Sequence, residues 1–481
     1  MQRFIFIWLF LFAVSLYAEE NDSVGWTPPA PLGGESGERT LSVKREAWSV
    51  GREVLSVKPE AVSAEHWEWQ LDVNPCWILK ADEYVSKWLK KQDAWAVDAQ
   101  LRYRSLPSEN DAFAHDFGYP TLALGLSYHH YDGVVMHKDA NPLWGMAQEV
   151  DYDSHLGNTV TLYGAFERPL FCSKHWELDY ALSVGLGYTR HKYNRVDAVD
   201  NELIGSHLLV YFGAGVHATY HFARNWGVKA GVEFKHHSNG ALNRPNKGAN
   251  ALGPMIGVVW TPSTSRTPPT PLGGESVESV ERAWSVKREA WSVKRGDFGN
   301  TSFQKSWYMN FSLGFGGKVP LEDWQVTQFQ TPPSDPDYRT GDFKLYAAYS
   351  LQADLMRRYA LRWASGIGFD LFYGSYADHV ASLDAAQGYT DRHSPWSVGI
   401  AAKHEVFYHR VSLAMSLGVY LHRQMGHQAK ELETPYYERI GLKYQIPRLG
   451  GLAVGLGIKA HLLKADYTEL VLSYPIKFQS F

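Results

Sequence analysis

Val411-Ser412-Leu413-Ala414-Met415-Ser416-Leu417-Gly418-Val419-Tyr420-Leu421 is the stretch that decides the fold. Successive side chains of an extended chain point to opposite sides. Val411, Leu413, Met415, Leu417, Val419 and Leu421 therefore share one face, and Ser412, Ala414, Ser416, Gly418 and Tyr420 the other. The pattern recurs at 180–189, where Tyr180, Leu182, Val184, Leu186 and Tyr188 oppose Ala181, Ser183, Gly185, Gly187 and Thr189. It recurs again at 452–462, where Leu452, Val454, Leu456, Ile458, Ala460 and Leu462 oppose Ala453, Gly455, Gly457, Lys459 and His461. These are strands with one greasy face and one small or polar face.

A soluble β-sandwich alternates too, but its second face meets water and is charged. Here that face is rich in Gly, Ala and Ser, which suits a crowded barrel interior. The runs are about ten residues long, the length a tilted strand needs to cross a bilayer. Trp176, Tyr188, Trp226, Tyr359 and Tyr373 sit near strand ends, where aromatic girdles lie. The fold class expected is all-β: an antiparallel transmembrane outer-membrane β-barrel with an even strand number, about 12–16 strands. One larger barrel is the preferred layout, and an eight-stranded barrel plus a second β unit is the alternative.

Sixteen candidate strands carry this reading. Eight lie near 66–79, 92–104, 119–131, 158–168, 176–190, 207–222, 225–238 and 252–261. Eight more lie near 304–315, 342–354, 359–373, 396–408, 410–421, 436–446, 451–463 and 468–478. The last alternates through Leu470, Leu472, Tyr474, Ile476 and Phe478 and resembles the aromatic closing strand of outer-membrane barrels.

Composition narrows the function classes. With 47 Lys plus Arg against 51 Asp plus Glu, the 481-residue chain has a formal charge of −4 and no basic footprint for nucleic acid. Hydrophobic residues at 45% and charged residues at 20% exclude a mostly disordered chain. Two cysteines, Cys76 and Cys172, exclude a disulfide scaffold and a multi-cysteine zinc site. The start, MQRFIFIWLFLFAVSLYAEE, reads as a signal peptide over 1–18, with Arg3 as n-region and Phe4–Leu16 as apolar core. No later window approaches the ~18 apolar residues of a spanning helix.

Two near-identical segments, TPPAPLGGES at 27–36 and TPPTPLGGES at 267–276, precede EAWSVGR at 46–52 and EAWSVKR at 289–295. They are too few and too polar to stack into a solenoid, and read as low-complexity insertions. The expected organisation is a flexible segment over 19–64, a first barrel part over 65–261, a repeat linker over 262–300 and the remaining strands over 301–481.

Catalytic patterns are scarce. There is no G-x-S-x-G elbow and no H-E-x-x-H. His129 and His130 are adjacent in a strand and point to opposite faces, so they are not read as metal ligands. One segment is different: Phe234-Lys235-His236-His237-Ser238-Asn239-Gly240, continuing through Pro245-Asn246-Lys247-Gly248-Ala249-Asn250. Trp226, Val228, Ala230, Val232, Phe234, His236 and Ser238 form one stripe, so the histidine and serine end the lipid-facing side of a strand. Same-face neighbours two residues apart lie about 6–7 Å apart at Cβ, close enough for their tips to converge. A serine becomes a nucleophile beside a base, most often histidine, and a pair aimed at lipid suits an ester in the membrane. The bland reading is a pair of polar interface residues.

HHSNGALNRPNKGAN, at 236–250, resembles the H-x-S-N signature and following P-N-x-G of the lipid A 3-O-deacylases, the PagL-type outer-membrane barrels of the acyloxyacyl hydrolase family. Asn201-Glu202-Leu203-Ile204-Gly205-Ser206 and Tyr119-Pro120 resemble the family as well. The resemblance implies His236 as general base, Ser238 as nucleophile and an oxyanion hole from backbone N–H groups around Asn239 and Gly240. The family's third position, a glutamate that orients the histidine, falls on Asn250, a departure that leaves an amide in place of an anion. It further implies lipid A or lipopolysaccharide as substrate, membrane lipids as surroundings, no cofactor, no metal and an outer-membrane address in a Gram-negative-type cell. The rival readings are a non-catalytic channel, transporter or structural barrel, with Glu233, Lys229, Lys459 and His461 lining a pore, and a surface adhesin presenting the repeats.

Overall fold

Trp69, Leu71 and Val73 point outward and are exposed, whereas Glu68, Gln70, Asp72 and Asn74 alternate with them and are buried. This is the inside-out pattern of a barrel in lipid, where apolar residues face the hydrocarbon and polar ones the lumen. The computed structural model describes residues 66–81, 83–107, 111–140, 149–262, 303–431, 433–462 and 464–478. The expected signal peptide, the 19–64 segment, both repeat copies and the linker from 263 to 300 lie outside the described residues.

The first set of elements is β1 (Trp67–Ile78), α1 (Glu83–Trp88), β2 (Leu89–Arg104), α2 (Ala112–Asp116), β3 (Thr121–His130) and the short β4 (Val134–Met136) and β5 (Ser154–His155). It continues with β6 (Thr159–Cys172), β7 (Trp176–Thr189), β8 (Leu208–Tyr220), β9 (Trp226–Ser238) and β10 (Ala249–Trp260). The second set is β11 (Ser306–Lys318), α3 (Leu321–Phe329), β12 (Tyr346–Arg358), β13 (Trp363–Gly374), α4 (Ala377–Ala386) and β14 (His393–Tyr408). After it come β15 (Val411–Met425), α5 (His427–Glu431), β16 (Tyr436–Gln445), β17 (Ala453–His461) and β18 (Lys464–Lys477). Among the described residues no helix is long and apolar enough to cross a membrane.

The sixteen long strands close as two antiparallel barrels of eight. β1 pairs with β2 on one side and β10 on the other, so the first barrel runs β1-β2-β3-β6-β7-β8-β9-β10. β11 pairs with both β12 and β18, closing the second. The layout is therefore the alternative stated above rather than one wide barrel. The reason is that closure is made by backbone hydrogen bonds between β1 and β10, a pairing that side-chain alternation does not encode. Cys76 is buried, Cys172 is half-buried, and the two are not bridged.

An eight-stranded barrel is just wide enough for its side chains to fill, and ion pairs do so here. In the first barrel Arg102 meets Glu68 at 3.0 Å, Lys229 meets Glu167 at 2.8 Å and Lys235 meets Asp98 at 2.5 Å. In the second, Lys403 meets Asp370 at 2.6 Å and Arg439 pairs with Glu469. One end of the first barrel is stoppered by an apolar cluster that includes Ile78, Trp88, Tyr131, Met136, Leu203 and Leu209. The connections 131–158, 190–207, 319–345 and 375–392 are long and lie at one rim, and the turns 173–175, 221–225, 359–362 and 409–410 lie at the other.

The barrels touch at both rims. At the short-turn rim Tyr408 packs 5.6 Å from Phe117 and 5.3 Å from Phe166, ring centre to ring centre, and His409 lies 2.7 Å from Asp111. At the long-loop rim the Tyr193 hydroxyl donates to the Arg339 carbonyl at 2.8 Å, and the Tyr193 ring meets Trp324 edge-on at 4.7 Å.

Candidate active site

β9 carries the H-x-S-N segment at the long-loop rim, and its two faces behave differently. Lys229, Lys235 and His237 point inward and are buried, while Val228 and Val232 point out and are exposed. The inward His237 is locked by the Thr161 hydroxyl at 2.8 Å and the Tyr131 hydroxyl at 3.2 Å, which fixes the strand end. His236 and Ser238 fall on the outward face, as the stripe requires, but Ser238 is only 6% exposed. The greasy stripe is thus roofed over where the chemistry would sit.

Register brings the third residue in. Asn250 is the direct cross-strand partner of His236 across the β9–β10 ladder. Its Oδ1 lies 2.8 Å from His236 Nδ1. An amide oxygen only accepts, so Nδ1 carries the proton and donates. The amide's orientation is fixed in turn, because Asn250 Nδ2 donates to the Gly248 carbonyl at 3.4 Å. His236 Nε2 is then the basic nitrogen. Neither Nε2 nor the Ser238 hydroxyl makes a hydrogen bond among the described residues. Gly248 has φ +77°, and a Cβ there would lie 2.6 Å from His236 Cε1, so a glycine is what lets the ring into this position.

The loop after Ser238 arranges donors. The N–H of Asn239 donates to Asn246 Oδ1 at 2.8 Å, so it is already engaged rather than free for an oxyanion. Asn239 Oδ1 accepts from the Ala241 N–H at 3.1 Å, and Asn239 Nδ2 is buried with no hydrogen-bond partner among the described residues. The Gly240 N–H makes no hydrogen bond among the described residues. Gly240 and Ala241 both have positive φ, +60° and +68°. The sequence marks Asn246 only as the asparagine of the P-N-x-G run and gives it no role of its own.

The second resembling segment has a structural job. Lys247 N–H donates to the Glu202 carbonyl at 3.1 Å, Gly248 N–H to Leu203 at 2.9 Å and Asn243 Nδ2 to Gly205 at 2.7 Å. Residues 201–206 therefore form a backbone cradle for 243–248. Asp200, beside it and outside the strands, is buried, and burial raises its carboxyl above the ordinary aspartate value, opposed by Lys138.

Three carboxylates of the first barrel, Asp72, Asp98 and Glu233, place oxygens within 4.8 Å of one another, and in the second barrel carboxylate oxygens of Glu433 and Asp466 and a ring nitrogen of His461 lie equally close. The Lys235 ammonium already lies among the first group and Lys459 against Asp466 in the second.

Residues 124–259 match the profile of the lipid A 3-O-deacylase (PagL) family, and residues 307–478 match that of the acyloxyacyl hydrolase C-terminal domain. No curated protein matches the chain. Among solved structures, the outer membrane enzyme PagL is 13% identical, covering 40% of this chain and 97% of that one, with a TM-score of 0.24. The FrpB iron transporter from Neisseria meningitidis is 9% identical over 86% of this chain and 81% of that one, TM-score 0.20. The COG4313 outer membrane channel from Pseudomonas putida F1 is 9% identical over 86% and 96%, TM-score 0.18.

Proposed function

As a member of the lipid A 3-O-deacylase (PagL) and acyloxyacyl hydrolase family, the chain is, we propose, an outer-membrane esterase that removes an ester-linked 3-hydroxyacyl chain from lipid A. One observation carries the reading. His236 is held by Asn250 at 2.8 Å on the same outward face of β9 as Ser238, at the rim bearing the long loops. In outer-membrane barrels the long loops face outward from the cell, which sets the pair at the leaflet where lipopolysaccharide resides.

The reaction runs by acyl transfer. His236 Nε2 takes the Ser238 proton as the hydroxyl oxygen attacks the ester carbonyl. The Gly240 N–H and the Asn239 side-chain amide stabilise the oxyanion that develops. Collapse breaks the ester C–O bond, His236 gives the proton to the departing sugar oxygen, and the deacylated lipid leaves with that oxygen as a hydroxyl. Water, deprotonated by the same histidine, then attacks the acyl carbonyl; the bond to Ser238 Oγ breaks, His236 returns the proton to that oxygen, and the fatty acid is released. No cofactor enters. The polypeptide reaches its membrane through the leader at 1–18.

A neutral orienting amide in place of a carboxylate fixes the tautomer without stabilising the imidazolium, so the chemistry proceeds at a reduced rate. The pore alternative fits less well, because Lys229, Glu233 and Lys459 are engaged in ion pairs across the barrel interiors. The test is lipid A deacylation by purified protein in detergent, followed by mass and released fatty acid.

A further inference from the structure

Two successive residues of the site loop, Gly240 and Ala241, adopt the left-handed backbone region, which L-residues with a Cβ avoid. Ala241 is fully buried there. Something must hold this conformation, and the partners come from the second barrel. The Gly240 carbonyl accepts from the Thr468 hydroxyl at 2.8 Å. The Ala241 carbonyl accepts from the Val319 N–H at 3.0 Å, and Arg244 Nε donates to the Val319 carbonyl at 3.0 Å. Thr468 heads the outward face of β18, in line with the exposed Leu470 and Leu472. The fit is close: a Cβ on Gly240 would lie 2.0 Å from Thr468 Oγ1.

The held residues are those that present the oxyanion donors. Asn239 Oδ1 takes the Ala241 N–H, so the peptide anchored by Thr468 also sets the Asn239 amide. The Gly240 N–H belongs to the residue whose carbonyl Thr468 grips. The anchoring is not the sole contact between the barrels: Tyr408 and His409 join them at the opposite rim, and Tyr193 meets Arg339 and Trp324 at the same one.

We infer that the second barrel completes the first barrel's active site, with Thr468 as the positioning residue that holds the Gly240–Ala241 segment in its oxyanion-binding conformation. The inference rests on the esterase reading and deepens it. It gives the C-terminal barrel a catalytic purpose and makes the site a property of the full chain.

The experiment uses full-length protein in detergent and compares Thr468→Val, which keeps shape and loses the hydroxyl, with Thr468→Ser, which keeps the hydroxyl. Tyr408→Leu disturbs the barrel contact at the far rim only. Folding is followed by heat-modifiable gel mobility. Two activities are read: kcat and KM for lipid A deacylation, and the rate at which a fluorophosphonate probe modifies Ser238. Thr468→Val is expected to lower kcat and probe labelling about ten-fold, part of the ~10²–10³ that removing an oxyanion donor outright costs, with KM within about two-fold. Thr468→Ser and Tyr408→Leu stay near wild type. Wild-type rates in folded Thr468→Val, a serine variant as slow as the valine, or an equal loss in Tyr408→Leu would overturn the inference. If lipid A is untouched by wild type but Ser238 labelling still depends on the Thr468 hydroxyl, the positioning role stands and the substrate reading falls.

Discussion

Replacing Asn250 by aspartate restores an anion beside His236 at unchanged side-chain length, which makes it a sharp test of how the site is driven. Asn250 Oδ1 sits 2.8 Å from Nδ1, so an aspartate oxygen can take the same place without rebuilding the loop. A neutral hydrogen bond contributes about 1 kcal/mol net, and a charge-assisted one roughly twice that. The gain applies chiefly to the imidazolium formed in the transition state, so about 1–1.5 kcal/mol appears as a ten-fold rise in kcat. The loss of Nδ2 donation to Gly248 subtracts little, since that contact is long at 3.4 Å. Asn250→Leu removes the acceptor and frees the tautomer, and kcat is expected to fall by ~10² or more, towards the ~10⁴ known for a misdirected imidazole. The assay is initial-rate fatty-acid release with folded fraction matched by heat-modifiable mobility. Equal kcat in the asparagine, aspartate and leucine forms would show that residue 250 does not orient the base, and the reasoning would fall.

Other consequences are as direct. Gly205→Ala places a Cβ 2.3 Å from the Pro245 carbonyl oxygen, so the 243–248 cradle must shift; kcat should drop at least ten-fold with near-native thermal stability, and an unaltered rate would refute the bracing role. Ile256→Lys puts a charge on an outward position that is 55% exposed to lipid, and should cost ~2–4 kcal/mol in urea-driven unfolding from vesicles, where Ile256→Leu costs little. Asp200, raised by burial, binds its proton more tightly folded than unfolded. Its ionisation therefore subtracts stability as pH rises from about 4 towards neutrality. Asp200→Asn should lessen that decline, visible as unfolding midpoints that fall less between acid and neutral pH.

What was legible in the sequence follows from what side chains report. Alternation in 411–421, 180–189 and 452–462 located strands because lipid and lumen demand opposite polarity, and all sixteen candidates have long-strand counterparts. Closure was not legible, since β1 joins β10 and β11 joins β18 through main-chain groups common to every residue. Within the candidate site, the 236–250 signature points to His236, Ser238 and Asn250, and the ladder register places the first and last side by side. The engagement of the Asn239 N–H by Asn246 was hidden, because it depends on how ten residues turn. The grip of Thr468 was hidden more deeply: it lies 228 residues from Gly240, in a strand whose alternation gave no sign of a partner.

The most direct measurement of the central claim is mass spectrometry of lipid A after incubation with the purified two-barrel protein in detergent, wild type beside Ser238→Ala. The account predicts loss of one 3-hydroxyacyl mass with wild type and, with Ser238→Ala, at least a ~10³-fold slower conversion. Unchanged lipid A from demonstrably folded wild-type protein, or equal deacylation by both forms, would contradict it.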